Sequence, residues 1–405
     1  MKTHSLICAV IVLCLLPAMV WAAEGQAGPP AVEVHGWSLT RYYSDITVND
    51  TRSSSGVISN EKDESRLRWE RISLSGLARL DEGKQAYAEI YIHPWLPNDD
   101  PSFLYLESLY LDVPAGPGAK FRIGKGRNFA FGITPSYGNR KTSNYSPLAE
   151  EFTQDRVLGL QYLQTRGKDS LNFAILNGQR PGTRFVGMTA DLQLDQGLPA
   201  LVRTTVAHLT DRDTPQNRSG TIGVSARYGR QLSAALNAGI SAKASAIDQD
   251  DKAFLAKKFV TYNGTNATLH RYGLDATCSR MPFVGTAQYY AGTTGNIRSN
   301  GWEILLGIEP SAQCTHPWRE FSAACKGLFV RYGKLNIDVP KTLDPITWDT
   351  NQLALSYVYP LRVKKYAGEL PKWIQIEYER NRESPPSGMS QIPNDVLFVE
   401  LFSAF

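Results

Sequence analysis

Beyond residue 22, the 405-residue chain has no apolar run long enough to cross a membrane as a helix, and its mean hydropathy is −0.28. This excludes a helical membrane protein. It does not exclude one that crosses with strands, because a barrel strand alternates a lipid face with a wet face and its hydropathy averages away. Histidine is scarce. The five that follow the N-terminal segment (His35, His93, His208, His270 and His316) lie far apart and show no zinc spacing. There is no Gly-x-Ser-x-Gly elbow and no phosphate-binding loop. Nothing here supplies a catalytic constellation, so the expectation is a protein that is not an enzyme and needs no metal or cofactor. An excess of charge is also missing. The formal net charge is +4, and the basic residues are scattered rather than clustered, which leaves no footprint for nucleic acid.

Cysteine is rare, and its five positions are informative. Cys8 and Cys14 fall inside the N-terminal apolar run, and neither follows the small residues that mark a lipoprotein cysteine. Cys314 and Cys325 flank a short segment and are candidates for a disulfide in an oxidising compartment. Cys278 shares parity with Leu274 and Ala276, so it is expected on an apolar face as a small apolar residue.

The N-terminus reads as an export signal. Lys2 and His4 form a short polar start, Ile7 to Leu16 an apolar stretch, and Pro17 ends it. Val20 and Ala22 stand at the −3 and −1 positions of a small-residue cleavage site. The expectation is a signal peptide over 1–22, cleaved after Ala22, with 23–405 forming one β-rich domain.

The remaining chain alternates with period two, interrupted by turn residues. Leu232, Ala234, Leu236, Ala238, Ile240, Ala242 and Ala244 alternate with small or polar residues that include Ser241 and Lys243. The same pattern recurs over Leu171–Ile175, Val186–Leu194, Ile222–Tyr228 and Tyr272–Cys278. Several such stretches run about nine to eleven residues, the span of a tilted membrane strand. Aromatic residues make up 10% of the chain, and many stand near strand ends, as in the interfacial girdles of barrels. Connections fall into two lengths. Short ones include Asp81–Gly83, Pro114–Gly118, Arg166–Lys168, Asp195–Gly197 and Arg280–Pro282; long ones include Asn49–Glu64, Arg127–Gln154 and Ile247–Ala267. Short turns on one side and long loops on the other are the rhythm of an outer-membrane barrel. The last residues place apolar side chains at 397, 399, 401 and 405 and end on Phe405, which resembles the C-terminal signal of such barrels.

The expected fold is therefore an all-β transmembrane antiparallel β-barrel of 16 to 18 strands in the lipid of the bacterial outer membrane. A secreted soluble β-rich protein would leave the loop rhythm and Phe405 unexplained. Parity assigns Arg227, Lys243, Asp191, Asp275, Glu303, Glu377 and Glu379 to the lumen, a set of mixed sign. Two segments break parity. Leu67 and Trp69 disagree with Ile72 and Leu74, which calls for a bulge near Arg71. Glu107 shares parity with Leu109 and Leu111 and is expected at a membrane interface, where a charge facing lipid costs little.

The stretch from Phe121 to Tyr162 holds the longest aromatic-rich connection, and a loop of this length inside a compact protein is usually functional. It carries Arg122 and Gly124, then Phe131-Gly132, Thr142-Ser143, Glu150-Glu151 and Asp155-Arg156. In this stretch the chain resembles the phosphate-selective porin O/P family. The resemblance implies that this third outer loop folds into the barrel and narrows it. It nominates Arg127, Arg140, Lys141 and Arg156 as constriction charges, with Glu150 and Glu151 opposing them. It further implies a pore for passive diffusion of small hydrophilic solutes or ions, with phosphate among the anions, in a homotrimer. The competing reading is a barrel that serves as an outer-membrane enzyme or an envelope scaffold.

Overall fold

The alternating segments form strands because β-branched, aromatic and small residues fit a pleated surface whose two faces meet different surroundings. The computed structural model describes residues 32–45, 49–52, 58–61, 65–92, 94, 104–133, 141–142, 146–153, 156–177, 221–247, 252, 266–309, 327–338, 349–361, 372–383 and 393–404. The signal peptide expected over 1–22, Phe405 and the candidate disulfide partners Cys314 and Cys325 lie outside them.

The strands in chain order are β1 (Val32–Asp45), β2 (Asn49–Arg52), β3 (Ile58–Glu61), β4 (Ser65–Arg79), β5 (Gln85–Ile92), β6 (Leu104–Gly116), β7 (Ala119–Arg127), β8 (Arg156–Arg166) and β9 (Asp169–Asn177). They continue with β10 (Ile222–Gln231), β11 (Leu236–Ala246), β12 (Thr268–Arg280), β13 (Phe283–Thr294), β14 (Ile297–Ile308), β15 (Gly327–Asp338), β16 (Thr350–Pro360), β17 (Lys372–Glu383) and β18 (Pro393–Ala404). β2 and β3 form a separate ribbon, and the other sixteen close into an antiparallel barrel in which β1 pairs with β18 and with β4. β9 and β10 pair with each other directly, from Asn177 opposite Ile222 to Asp169 opposite Arg230. The wall therefore closes at sixteen strands, the lower bound of the expected range. The alternating stretch Val186–Leu194, with Asp191, and the expected turn at Asp195–Gly197 lie outside the described residues.

Burial shows the two faces. Val224, Ile240, Tyr272, Leu274, Leu306, Tyr357 and Leu401 are exposed outward, while Ser225, Ser241, Lys243, Arg271, Asp275, Glu303, Arg331, Glu377 and Glu400 are buried inside. A water-soluble protein reverses this order, and an apolar surface on this scale needs lipid against it. Cys278 is a free thiol exposed on the same outer face as Tyr272 and Leu274.

Besides a register shift at Pro114/Gly116 beside the β6–β7 turn, two bulges within the described strands reset the parity. On β4, Leu39 lies opposite Arg71 and Thr40 opposite Trp69, so Glu70 is the extra residue; it is buried, as is Arg71. This is the irregularity expected near Arg71. On β6, Glu89 lies opposite Ser108 and Ile90 opposite Leu106, which makes Glu107 extra. The interfacial, lipid-facing position expected for Glu107 is thereby corrected: the bulge turns its side chain off the lipid face, and it is buried.

Candidate functional site: the loop inside the barrel

The connection between β7 and β8 runs along the inner wall. Asn128 begins the inward turn, its Oδ1 accepting from the amide of Ala130 at 3.0 Å and from the Ser225 hydroxyl of β10 at 3.2 Å. The amide of Phe129 donates to Gln161 on β8 at 3.1 Å, and its carbonyl accepts from Asn172 on β9 at 3.0 Å. The amide of Gly132 donates to the Ser241 hydroxyl on β11 at 3.1 Å, and that of Ile133 to the Tyr290 hydroxyl on β13 at 3.1 Å. All of these bonds except that from Ser225 satisfy a backbone group that the loop takes out of water. Gly132 has φ of +59°, and a Cβ there would meet the Tyr290 hydroxyl at 2.5 Å. Only glycine fits both the conformation and the approach.

A short helix, α1 (Pro147–Phe152), follows inside the lumen. Ser146 caps it, accepting from the amide of Ala149 at 3.1 Å, and Pro147 occupies its first turn. Leu148 and Phe152, with Phe131, pack into an apolar cluster with Leu269, Tyr290, Ile297, Leu335 and Ile337 of the wall. Full burial of such side chains contributes about 1.5–3 kcal/mol each. Gly301 on β14 makes the close approach possible, since a Cβ there would lie 2.7 Å from Leu148 Cδ1. Beside this cluster, the Arg271 guanidinium of β12 donates to the Glu151 carboxylate at 2.8 Å and to the Glu151 carbonyl, and lies 4.8 Å from the Phe152 ring centre. Both residues of this ion pair are buried.

Residues 141–142 reach deeper, toward the end of the barrel where β14 finishes and β15 and β17 begin. Thr142 accepts from Arg331 on β15 at 2.5 Å, and the Lys141 carbonyl accepts from Gln375 on β17 at 3.4 Å. The Lys141 ammonium pairs with Glu309 and stands 5.3 Å from the Phe329 ring centre. Phe329 belongs to an inward apolar layer with Trp37, Leu39, Val358, Trp373 and Phe402, in which Trp373 and Phe402 stack at 3.7 Å. The loop and this layer both occupy the inside of the barrel.

The nominated residues separate on inspection. Arg127 ends β7 on the parity of the exposed Phe121 and Ile123, while its carbonyl accepts from Gln161 at 2.8 Å. Arg156 lies opposite it in the β7–β8 register, and Glu150 lies in α1. The side chains of both, and Arg140 altogether, fall outside the described residues. Lys141 is inside the lumen, tied to Glu309. Glu151 is 2% exposed and faces Arg271, so it tethers the loop rather than confronting a solute. Arg227 and Asp275, both assigned inward by parity, form a two-point ion pair at 2.5 and 3.1 Å. Lys243 is buried inside, between Ser225 and Arg271 in the register. Arg271, Arg331, Tyr290 and Gln161 hold the loop, yet sequence reading did not nominate them. All four stand on inward parity, but only their contact with the loop marks them out.

On the opposite wall, Arg122 grips Asp112 at 2.7 and 2.9 Å, Arg41 pairs with Glu400, and Arg68 with Glu70. Such charge-assisted pairs organise the lumen and hold its side chains in fixed positions.

A closed sixteen-stranded transmembrane barrel with a loop held in its lumen defines the porin type of fold. No family model and no curated protein matches the chain. Solved structures do. The outer membrane channel DcaP of Acinetobacter baumannii matches with 11% identity over 94% of this chain and 99% of that one, at a TM-score of 0.57. OprB of Pseudomonas putida matches with 9% identity over 92% and 94%, at 0.59. An anion-selective porin from Comamonas acidovorans matches with 11% identity over 93% and 100%, at 0.52. At these identities the likeness is one of fold.

Proposed function

We propose that this chain is a porin of the bacterial outer membrane, exported by a signal peptide cleaved after Ala22 and passing small hydrophilic solutes or ions by diffusion. The observation that carries this reading is the loop held against the inner wall by Gln161, Asn172, Ser241, Tyr290 and Arg271. A strut of this kind narrows a wide barrel without adding reactive groups, as a sieve requires. The similar folds of an outer membrane channel and of an anion-selective porin support it. A trimer form of the Vibrio cholerae outer membrane protein OmpT, with a TM-score of 0.50, supports trimeric assembly. Kinship with the phosphate-selective O/P family rests on the Phe121–Tyr162 stretch alone. The described lumen favours phosphate poorly, because its arginines stand against carboxylates: Arg41 with Glu400, Arg122 with Asp112, Arg227 with Asp275 and Arg271 with Glu151.

Liposome swelling tests the reading. Purified protein in vesicles should admit small neutral sugars at rates that fall steeply with solute size. Vesicles that carry folded protein yet stay closed to all of them would overturn it.

A further inference from the structure

We propose that Glu303 forms a cation subsite on the lumen wall beside the loop, taking a small monovalent cation or the ammonium group of a solute. The subsite rests on the porin reading, since ions must reach the lumen to occupy it. Glu303 points inward from β14 and is 6% exposed. Its register neighbours are Gln288 on β13 and Gly333 on β15. Gln288 Nε2 donates to Glu303 Oε1 at 3.3 Å, but among the described residues nothing donates to the buried Oε2. A dry carboxylate oxygen without a donor is costly, and a cation removes that cost directly.

Three further features suit a cation there. Gly333 carries no side chain, and a Cβ at that position would lie 3.2 Å from the Trp302 carbonyl and 3.4 and 3.5 Å from Glu303 Cβ and Cγ, so the glycine leaves space beside the Glu303 stem. The local charge is negative. Counting only the inward-facing side chains of β14 to β17 and the loop segment, Glu303, Glu309, Glu377 and Glu379 stand with two bases, Arg331 and Lys141, so four acids less two bases leave −2 on that inner face. Finally, the carboxylate is oriented from the loop. The amide of Ile133 donates to the Tyr290 hydroxyl at 3.1 Å, that hydroxyl donates to Gln288 Oε1 at 2.8 Å, and the same Gln288 side chain donates to Glu303. Among the described residues no three His, Cys, Asp or Glu side chains are grouped to hold a metal ion. One carboxylate with amide neighbours fits a loosely held monovalent cation better than a divalent one, which takes several oxygens.

The test pairs two measurements on folded protein. Retention of radiolabelled rubidium by the protein in detergent reads the subsite without any need for conduction. Reversal potentials across a potassium chloride gradient read its effect in the pore. Wild-type protein should retain rubidium saturably. Glu303→Gln should abolish that retention and lower the cation-to-anion permeability ratio about threefold, as expected for removing one partly screened charge. Gly333→Ala, which keeps the charge but fills the space, should weaken retention while leaving the barrel folded. Rubidium retention unchanged in Glu303→Gln overturns the subsite even if the channel conducts. Retention that depends on Glu303 in a protein that never conducts upholds the site and overturns the porin reading instead.

Discussion

At the scale of single residues, the Arg271–Glu151 pair is a fully buried ion pair that joins the loop helix to the wall. Both groups are out of water, so their attraction is offset by desolvation, and removing one partner strands the other. Glu151→Ala should destabilise the docked loop by about 3–5 kcal/mol. The expected readout is larger and noisier single-channel steps. The double replacement Arg271→Met with Glu151→Leu, which leaves no stranded charge, should recover much of the lost order. Steps of wild-type size and noise in Glu151→Ala would show that the apolar contacts hold the loop unaided. Outward residues obey a different rule. Leu274 is 54% exposed on the lipid face of β12, so Leu274→Arg should destabilise the folded barrel, by about 2–4 kcal/mol if it lies at the bilayer midplane. Unfolding by denaturant in lipid vesicles measures this, and an unchanged midpoint would place Leu274 outside the bilayer.

At the scale of elements, α1 is too short to persist alone and owes its existence to the wall it packs on. Leu148→Ala should cost about 2–4 kcal/mol of docking through the cavity left opposite Gly301. It should enlarge the solute-size cut-off in liposome swelling while the barrel still folds. This is also the scale at which sequence reading succeeded or failed. The strands were legible because an inside and an outside impose period two, and the bulge at Glu70 was legible because Leu67 and Ile72 disagree in parity. Glu107 was misread because its parity was taken from Leu109 and Leu111 alone, although Leu104 and Leu106 on its other side disagree with them as Leu67 does with Ile72. Val186–Leu194 also alternates but lies outside the described residues, and β9 pairs directly with β10. Loop partners lie furthest from what a linear reading reaches. Ile133 meets Tyr290, and Glu151 meets Arg271, across 157 and 120 residues. Glu151 therefore reads as a pore charge until Arg271 is placed beside it.

At the scale of the whole molecule, sixteen strands turn an apolar belt outward and a set of paired charges inward, and the described part of the β7–β8 loop lies against that inner wall. Two groups of side chains fill parts of the lumen, the loop helix against β12 to β15 and the inward layer of Trp37, Phe329, Trp373 and Phe402. A passage so restricted should pass ions in small, uniform steps. The measurement that tests this most directly is single-channel conductance of the refolded protein in a planar lipid bilayer. The account predicts discrete, reproducible current steps on insertion. Full insertion of folded barrels with no current at any applied voltage would contradict it and leave a membrane barrel whose lumen serves another purpose.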